Sequence, residues 1–458
     1  MIELTTEQMA AAMGAEVLAR GSGGVPGRAE IDSREIAGGE LFFGLTGGQS
    51  DGGEHARGAL EAGAWGVVVT PERAAELAGS EPDQANAFIF ASVDPLLSLQ
   101  MLARAWRREL GATVIGITGS VGKTSVKDIT RALLPGAVHA SAENFNTEIG
   151  LPLTILEAPA GTETLVLEMA MRGEGQIAEL AVIAEPDIGV ITNVGPVHVE
   201  LLGSIEAVAA AKAELITNMK PDGVMIVPFE AGYLDPHLEN VPGLVRFGGE
   251  GDVRVVELSV ENGATRARIE TLQGSQAFEF PFAEPHNLTN SLAAIGAGVA
   301  AGFTPAELAA RADGIAFSRF RNEHIDLGAR GLIINDCYNA NPVSMRAALE
   351  YLARVDRPRK LAVLGLMAEL GPDEVRFHEE IGEIARELGI EVIGVGDLAR
   401  AYGPELKAGD AEEAARFVEE RFGPDLAVLI KGSRAAGLER VTELVTAAAS
   451  AGSGAPRG

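Results

Sequence analysis

The residues with the clearest chemical potential form a glycine-rich loop between an apolar run at 114–117 and a helical stretch with apolar Val126, Ile129 and Leu133. The loop consists of Thr118, Gly119, Ser120, Val121, Gly122, Lys123, Thr124 and Ser125. Glycines let backbone amides turn toward phosphate oxygens, the lysine reaches terminal phosphates, and the following hydroxyl can bind magnesium. The first glycine of the usual GxxxxGK[ST] spacing stands one residue early, at Gly116. The strand-loop-helix context still predicts that this loop binds ATP or GTP.

Two further strands are predicted to bring metal ligands to the same edge of the sheet. The apolar run 165–167 ends at Glu168, and the run 188–191 leads to Asn193 and then to His198 and Glu200. Magnesium prefers oxygen ligands in an octahedron and bridges nucleotide phosphates, so Glu168 and Thr124 suit it. Taken singly, the histidine is also compatible with a structural role, and the glutamate with a solvated charge.

The composition of the chain excludes several classes of function. With 458 residues, of which 47% are hydrophobic, the chain is typical of a globular protein with several domains. The net charge of −28 argues against nucleic-acid binding, which needs clustered cations. The single cysteine, Cys337, excludes an intramolecular disulfide. We see neither a membrane-spanning apolar run nor a signal peptide, and we therefore expect a cytoplasmic protein without membrane insertion.

Strand-like runs followed by helical stretches recur along the chain, which predicts an α/β fold with mostly parallel sheets. We expect an N-terminal domain over 1–108, a central phosphate-loop ATPase domain over 109–314, and a doubly wound, Rossmann-like C-terminal domain over 315–458. The last domain contains four apolar runs, at 332–334, 361–364, 392–395 and 428–430. Because ligands bind beyond the carboxyl ends of such strands, the loops after these runs should form one working edge.

Four segments, in chain order, resemble the central ATPase domain of the Mur ligase family: TGSVGKTS (118–125), EMAMRGEG (168–175), ITNVGPVHVELLGS (191–204) and AKAE (211–214). The resemblance implies that Glu168 and His198 bind magnesium. It also implies that Lys212 is carbamylated and that its new carboxylate holds a second magnesium. Carbamylation requires a primary amine, and Lys212 is one of only seven lysines among the 37 basic residues. A solvated helical lysine is the alternative interpretation.

Further segments resemble the branch of this family that adds a dipeptide: NFNTEIGLPLT (144–154), DCYNANP (336–342), DSR (32–34) and KGSR (431–434). The Asp-Asn-Pro-Arg motif of the branch that adds a diamino acid does not occur in the sequence. The resemblance implies a ligase of peptidoglycan-precursor synthesis that uses ATP and Mg²⁺. Its substrates would be UDP-N-acetylmuramoyl-tripeptide and D-alanyl-D-alanine, joined through an acyl phosphate. Lysine and diaminopimelate are both compatible as the third residue of the tripeptide, and a monomer is expected.

The resemblance also implies roles for individual residues. Catalysis and metal binding are expected from Lys123, Thr124, Glu168, His198 and carbamylated Lys212. Nucleotide contacts beyond the phosphate loop are expected from Asn287, Asn290, Arg321, Asp336, Tyr338 and Asn339. The UDP-sugar and the acyl end of the first substrate are expected to contact Ser33, Asp51, Gly52, Asn144, Asn146, Thr147 and Arg172. The dipeptide carboxylate is expected to contact Lys431 and Arg434.

Some positions depart from the family pattern. Glu284 lies in an Ala-Glu-Pro segment where Pro-Gly-x is usual, and Phe320 stands where a glycine usually precedes the arginine. Ala170 and Gly53 replace a usual glycine and a usual histidine. None of these changes removes a group that the chemistry needs. Two rival functions remain open: another amide ligase of the superfamily, such as a folylpolyglutamate or cyanophycin synthetase, and a regulatory nucleotide-binding module.

Overall fold

The computed structural model describes residues 2–48, 50–79, 86–142, 144–197, 199–261 and 263–452. Within these ranges, three larger sheets, each mostly or wholly parallel, and one small antiparallel sheet are flanked by helices. The predicted α/β class is thereby confirmed. No helix in the described part of the chain is long and apolar enough to cross a membrane.

The N-terminal sheet has five strands in the order β1-β5-β4-β3-β2, and only β1 runs antiparallel to its neighbour. The strands are β1 Glu16–Ala19, β2 Ala29–Glu30, β3 Leu41–Phe43, β4 Gly66–Val69 and β5 Phe88–Ala91. The helices are α1 Thr6–Met13, α2 Ala56–Glu61, α3 Pro71–Ala78 and α4 Pro95–Leu110. The long helix α4 begins at its cap Asp94, ends at Gly111 in the left-handed conformation, and leads into the central sheet.

The central sheet is entirely parallel, with the strand order β11-β10-β9-β6-β8-β7. Its strands are β6 Thr113–Thr118, β7 Val138–Ala140, β8 Thr164–Glu168, β9 Ile188–Ile191, β10 Val224–Pro228 and β11 Gly243–Phe247. Its helices are α5 Lys123–Leu133, α6 Gly150–Glu157, α7 Gln176–Ala184, α8 Val199–Leu202, α9 Ile205–Asn218, α10 Pro285–Ala300 and α11 Pro305–Ala309. Apolar Val126, Ile129 and Leu133 of α5 share one buried core with Leu292 and Ile295 of α10. This packing fixes both helices beside the phosphate loop.

A small antiparallel sheet follows the central strands, and the sequence analysis does not predict it. Its strands are β12 Arg254–Glu261, β13 Ala264–Thr271 and β14 Gly274–Phe280. Ala267 and Ile269 of β13 face the core, whereas Arg266 and Arg268 between and beside them are exposed. This alternation with a period of two is typical of a half-buried strand.

The C-terminal sheet has the order β15-β16-β20-β17-β18-β19, and only the edge strand β15 is antiparallel. The strands are β15 Glu323–Asp326, β16 Leu332–Asn335, β17 Arg359–Leu364, β18 Glu391–Val395, β19 Leu406–Ala408 and β20 Leu426–Lys431. The helices are α12 Pro342–Arg354, α13 Glu374–Glu387, α14 Ala411–Glu419 and α15 Glu439–Gly452. All four apolar runs predicted from the sequence lie on parallel strands of this sheet. The boundaries of the three domains stay a prediction.

Candidate active site

The phosphate loop joins the carboxyl end of β6 to the start of α5, and close packing requires its glycines. Gly119 has a φ of 149°, and a Cβ atom there would lie 1.9 Å from Thr192 Oγ1. Gly122 has a φ of 83°, and a Cβ atom there would lie 2.7 Å from Asn290 Oδ1. The loop leads directly into the first turn of α5, whose backbone N–H groups lack partners within the helix. This arrangement can bind phosphate oxygens.

A second loop, after β9, holds the phosphate loop in place. Asn193 donates from Nδ2 to Val121 O at 3.1 Å and accepts at Oδ1 from Val121 N at 3.0 Å. Ser120 Oγ donates to Gly195 O at 3.1 Å and accepts from Gly195 N at 2.8 Å. Thr192 Oγ1 donates to Val121 O at 2.5 Å. Asn193 was expected at this edge from its position after the strand, whereas Thr192, directly after the same strand, is a site-forming residue that the predicted set lacks.

Lys123 and Thr124 open α5 and carry the reactive groups of the loop. Lys123 Nζ donates to Gly119 O at 2.9 Å, so the ammonium lies back over the loop. Burial lowers the pKa of Lys123, the nearby Glu168 carboxylate opposes this, and the Arg321 guanidinium adds to it. Thr124 is 4% exposed, and its Oγ1 accepts a hydrogen bond from Arg321 Nη2 at 3.0 Å. Ser125, next in the helix, is half-buried.

Glu168 ends β8, the strand beside the phosphate-loop strand, and its side chain is 2% exposed. Its Oε1 accepts a hydrogen bond from Asn146 Nδ2 at 2.8 Å. Its Oε2 is buried and has no hydrogen-bond partner in the described part of the chain. A buried carboxylate oxygen without a donor is unfavourable unless a cation or a ligand satisfies it. Glu168 therefore suits the predicted magnesium.

Lys212 lies in α9 and is 1% exposed. Burial, followed by the positive charge of Lys123, holds the pKa of Lys212 well below its usual value. A lowered pKa favours the neutral amine, which is the form that reacts with CO₂. The other predicted metal ligand, His198, lies outside the described residues. Within the described ranges, no group of three or more His, Cys, Asp or Glu side chains could hold a metal ion.

The C-terminal domain brings Arg321 to the phosphate loop. The Arg321 guanidinium lies 4.1 Å from the centre of the Tyr338 ring, within range of a cation–π contact. The residues on either side of Arg321, Phe320 and Asn322, have φ values of 62° and 49°. This left-handed conformation is strained for residues other than glycine, so contacts with the surrounding structure must hold the backbone in it. Arg321 and Tyr338 therefore form a pair beside the phosphate loop, and their contacts with a nucleotide stay a prediction.

Lys431 is 2% exposed, and its ammonium holds the loop after β16. Lys431 Nζ donates to Asp336 Oδ2 at 2.6 Å and to Asn339 O at 3.0 Å. In this arrangement Lys431 positions Asp336 and Asn339, and its predicted contact with a dipeptide carboxylate stays a prediction. The same loop ends at Asn341, whose Oδ1 accepts from Ser344 N at 2.9 Å and caps α12.

The two asparagines predicted from α10 have different surroundings. Asn290 borders the phosphate loop, because its Oδ1 fills the space beside Gly122. Asn287 is 2% exposed, and its Nδ2 donates to Glu284 Oε2 at 3.4 Å. Asn290 is therefore placed to contact phosphate, whereas Asn287 turns toward the buried glutamate.

Two predicted arginines lie on the exposed rim of the site. Arg172 Nε lies 3.5 Å from Glu369 Oε1, and this ion pair joins the central and C-terminal domains. Glu369 has a φ of 62°, which is unusual for a residue other than glycine. The Arg434 guanidinium lies 5.2 Å from the centre of the Phe320 ring. In the loop before α6, Asn144 and Thr147 are exposed.

The predicted UDP-sugar contacts lie apart from the phosphate loop, in the N-terminal domain. Ser33 begins a 3-10 turn, and Asp51 Oδ1 accepts from Gly53 N at 2.9 Å. Gly52 is required there, because a Cβ atom would lie 2.6 Å from Leu45 O. The carboxylate of Asp51 also accepts from Arg73 Nε at 3.0 Å. Arg73 is a further cation at this position that the predicted set lacks.

The chain is similar to known proteins over most of its length. Residues 117–298 match the Mur ligase middle domain, and residues 320–434 match the Mur ligase, glutamate ligase domain. The UDP-N-acetylmuramoyl-tripeptide–D-alanyl-D-alanine ligase of Bacillus subtilis is 34% identical over 426 residues, covering 90% of this chain and 91% of that protein. The ligase of the same name from Escherichia coli is 30% identical, with 90% and 91% covered.

Solved structures give the same assignment. The MurF ligase of Thermotoga maritima in complex with ADP has a TM-score of 0.79 and 31% identity, covering 95% of this chain and 99% of that one. MurF from Acinetobacter baumannii has a TM-score of 0.84 and 27% identity, covering 97% and 98%. The chain therefore belongs to the Mur ligase family, within its UDP-N-acetylmuramoyl-tripeptide–D-alanyl-D-alanine ligases.

Proposed function

We propose that this enzyme uses ATP to join D-alanyl-D-alanine to UDP-N-acetylmuramoyl-tripeptide in peptidoglycan-precursor synthesis. The observation that carries the proposal is the phosphate loop, where Arg321 of the C-terminal domain reaches Thr124 of the central domain at 3.0 Å. Groups from two domains thus converge where ATP would place its terminal phosphates. Membership of the ligase family supports the identity of the two substrates. We place the reaction in the cytoplasm, where ATP is available, and expect a monomer that does not bind nucleic acid.

The reaction has two steps. The free carboxylate of the tripeptide attacks the γ-phosphorus of ATP, which forms an acyl phosphate and releases ADP. The amine of D-alanyl-D-alanine then attacks the acyl carbon, loses a proton and expels inorganic phosphate. Lys123 and the backbone amides at the start of α5 stabilise the charge on the transferred phosphoryl group. Arg321 adds a second fixed cation on the same side.

The donor set fits magnesium. Glu168 Oε2 is buried without a partner, and the buried Thr124 hydroxyl supplies a second hard oxygen. We propose Glu168, Thr124, His198 and carbamylated Lys212 as the residues that hold it. When bound, the metal offsets the repulsion between a carboxylate and a triphosphate. Asn146 keeps Glu168 in place through its 2.8 Å hydrogen bond.

Lys212 is suited to carbamylation by its environment. Its side chain is 1% exposed, and Lys123 contributes a like charge nearby. Both effects disfavour an ammonium, whereas a carbamate would carry the negative charge that a cation site needs. We propose that Lys212 acts as its carbamate.

The remaining predicted residues are assigned to the individual substrates. We propose Ser33, Asp51 and Gly52 for the UDP-sugar, and Asn144, Asn146, Thr147 and Arg172 for the acyl end. We propose Asn287, Asn290, Arg321, Asp336, Tyr338 and Asn339 for the nucleotide. For the dipeptide carboxylate, Arg434 is the more accessible group, and Lys431 contributes by holding the loop at Asp336.

The test is release of phosphate from ATP by the purified chain with each substrate alone and with both together. Phosphate release and the muramoyl-pentapeptide product should appear only with UDP-N-acetylmuramoyl-tripeptide and D-alanyl-D-alanine together. A parallel assay with a folate and glutamate serves as the control for the wider superfamily. Turnover with that pair and none with the muramoyl substrates would refute the proposal.

A further inference from the structure

A buried carboxylate, Glu284, connects the central and C-terminal domains. Glu284 immediately precedes α10 and is 2% exposed. Its Oε1 lies 3.2 Å from Nε2 of His324, which belongs to the C-terminal strand β15. Its Oε2 accepts from Asn287 Nδ2 at 3.4 Å within its own domain. A buried charge of this kind persists only when it is well hydrogen-bonded.

Two more side chains from the C-terminal domain support this contact, Asn322 at the carboxylate and Tyr351 at His324. A hydrogen bond from the Asn322 side chain helps to lower the pKa of Glu284, and the Tyr351 hydroxyl lies 3.3 Å from Nε2 of His324, the residue that pairs with Glu284. Burial alone would raise the pKa of Glu284, but the bonds from His324 and Asn322 outweigh it and lower the pKa to about 2. The carboxylate is therefore ionised, and its partners His324 and Asn322 are available only while the C-terminal domain is docked.

This cluster is linked directly to the phosphate loop. Asn322 adjoins Arg321, and both Asn322 and Phe320 hold left-handed φ values. Arg321 donates to Thr124 Oγ1 at 3.0 Å. A strained segment needs contacts on its flanks to hold one conformation. Glu284 supplies such a contact one residue from Arg321.

We propose that Glu284 is a positioning residue that docks the segment carrying Arg321 and so sets the Arg321 guanidinium on the phosphate loop. Glu284 itself does not touch the reacting atoms. The inference deepens the proposed function and rests on the nucleotide contact assigned to Arg321. It gives a role to a glutamate at a position where the family pattern has glycine.

The test is a double-mutant cycle in the full chain, with Glu284→Gln, Arg321→Ala and the combination. Glutamine keeps the volume of the side chain but removes its charge and presents an amide to the donors. We expect Glu284→Gln to lower kcat by roughly 10- to 100-fold and to weaken ATP binding, because small displacements of a positioned group cost about that much. Arg321→Ala should then lower kcat and ATP affinity by much smaller factors in the Glu284→Gln background than in the unmodified chain.

Further variants separate positioning from a loss of folding. Tyr351→Phe removes only the hydroxyl that lies 3.3 Å from His324 Nε2, and its effect on ATP affinity should be smaller and in the same direction. Glu391→Gln is the matched control, because Glu391 pairs with Arg421 at 2.7 Å within the C-terminal domain alone. It should leave kcat and ATP affinity unchanged. Affinity for UDP-N-acetylmuramoyl-tripeptide in the absence of ATP should be unchanged in all these variants.

The proposal would be overturned if Arg321→Ala lowered kcat by the same factor in the unmodified chain and in Glu284→Gln. An unchanged ATP affinity in Glu284→Gln would also overturn it. A uniform fall in melting temperature and in both substrate affinities would also overturn it, since that pattern indicates a purely structural glutamate. ATP affinity is measured by direct binding, without an acceptor. The two proposals can therefore fail separately. The coupling between Glu284 and Arg321 can be absent although the unmodified chain makes product. It can also be present although the chain makes no muramoyl-pentapeptide product.

Discussion

Replacement of Glu168 by glutamine tests the assignment of the metal-binding carboxylate. Glutamine preserves the size of the side chain, and its carbonyl oxygen can still accept the hydrogen bond from Asn146 Nδ2 that Oε1 now accepts at 2.8 Å. The amide nitrogen then replaces Oε2, which is buried and has no partner in the described residues. The change therefore removes one negative charge and one free acceptor, and little else.

The expected magnitudes follow from these contacts. Loss of a preorganised electrostatic group at the transferred phosphoryl typically costs about 10²–10³-fold in kcat, or about 2.7–4 kcal/mol. The free energy of unfolding without ligands should change by no more than about 1–3 kcal/mol, because one buried polar atom without a partner replaces another. The loss should thus appear in turnover and in the dependence on magnesium, and much less in the fold.

Phosphate release is assayed over a range of magnesium concentrations, and chemical denaturation measures stability. Glu40→Gln provides a matched control, since Glu40 is 6% exposed but its Oε2 accepts from Gly38 N at 2.8 Å. That variant should lose stability and keep its kcat. Near-normal turnover of Glu168→Gln with an unchanged magnesium dependence would refute the assignment of Glu168.

Four more outcomes are expected. Lys123→Ala should lower kcat by about 10²–10³-fold with UDP-sugar affinity retained, and near-normal turnover would contradict the phosphate-loop assignment. Lys212→Arg should be as inactive as Lys212→Ala, and formate or acetate should partly restore only the alanine variant, because arginine cannot form a carbamate and leaves no space. Activity retained in Lys212→Arg would show that positive charge suffices. Gly119→Ala should abolish the rise in melting temperature caused by ATP, because its Cβ would lie 1.9 Å from Thr192 Oγ1, and an unchanged rise would contradict this packing. The pKa of Glu284 is lowered from 4.5 to about 2, so its stabilising contribution is present above pH 4.5 and is lost as the pH falls toward 2. Denaturation curves of Glu284→Gln should lack this part of the acid dependence, and an identical acid profile would count against it.

Local patterns predicted the parts of the site that depend on local chain geometry. Glycines at 119 and 122 and the apolar spacing of α5 were sufficient to predict a strand, a loop and a helix in that order. The position of Glu168 at the carboxyl end of a strand was predictable because it directly follows three apolar residues, and its role as a metal ligand stays a prediction. In the C-terminal domain, the apolar runs likewise located the strands and the loops that follow their carboxyl ends.

Pairings between distant residues were not predictable from local patterns. Lys431 reaches Asp336 at 2.6 Å because β16 and β20 are parallel neighbours, with Asn335 opposite Ile430. The order of strands in a sheet is set by packing of the whole domain, and no pattern in KGSR encodes it. An ammonium expected to bind substrate thus proved to have a partner already. The antiparallel sheet was a different case. The alternation of apolar and polar residues in β13 was present in the sequence, so this strand could have been predicted.

The electrostatics of the site explain how a chain with a net charge of −28 can bind a triphosphate. Lys212 is buried and has a lowered pKa, which favours the neutral amine and its conversion to a carbamate, so it adds no cation here. Lys123 and Arg321 place two cations at the phosphate loop, and the Glu168 carboxylate partly balances Lys123. Such a cluster is unfavourable without a ligand, and a nucleotide with its metal relieves the repulsion between its members. We therefore expect the two cations at the phosphate loop, and not the overall charge, to set the affinity for ATP, so salt should weaken ATP binding less than it weakens substrate contacts on the exposed rim at Arg172 and Arg434.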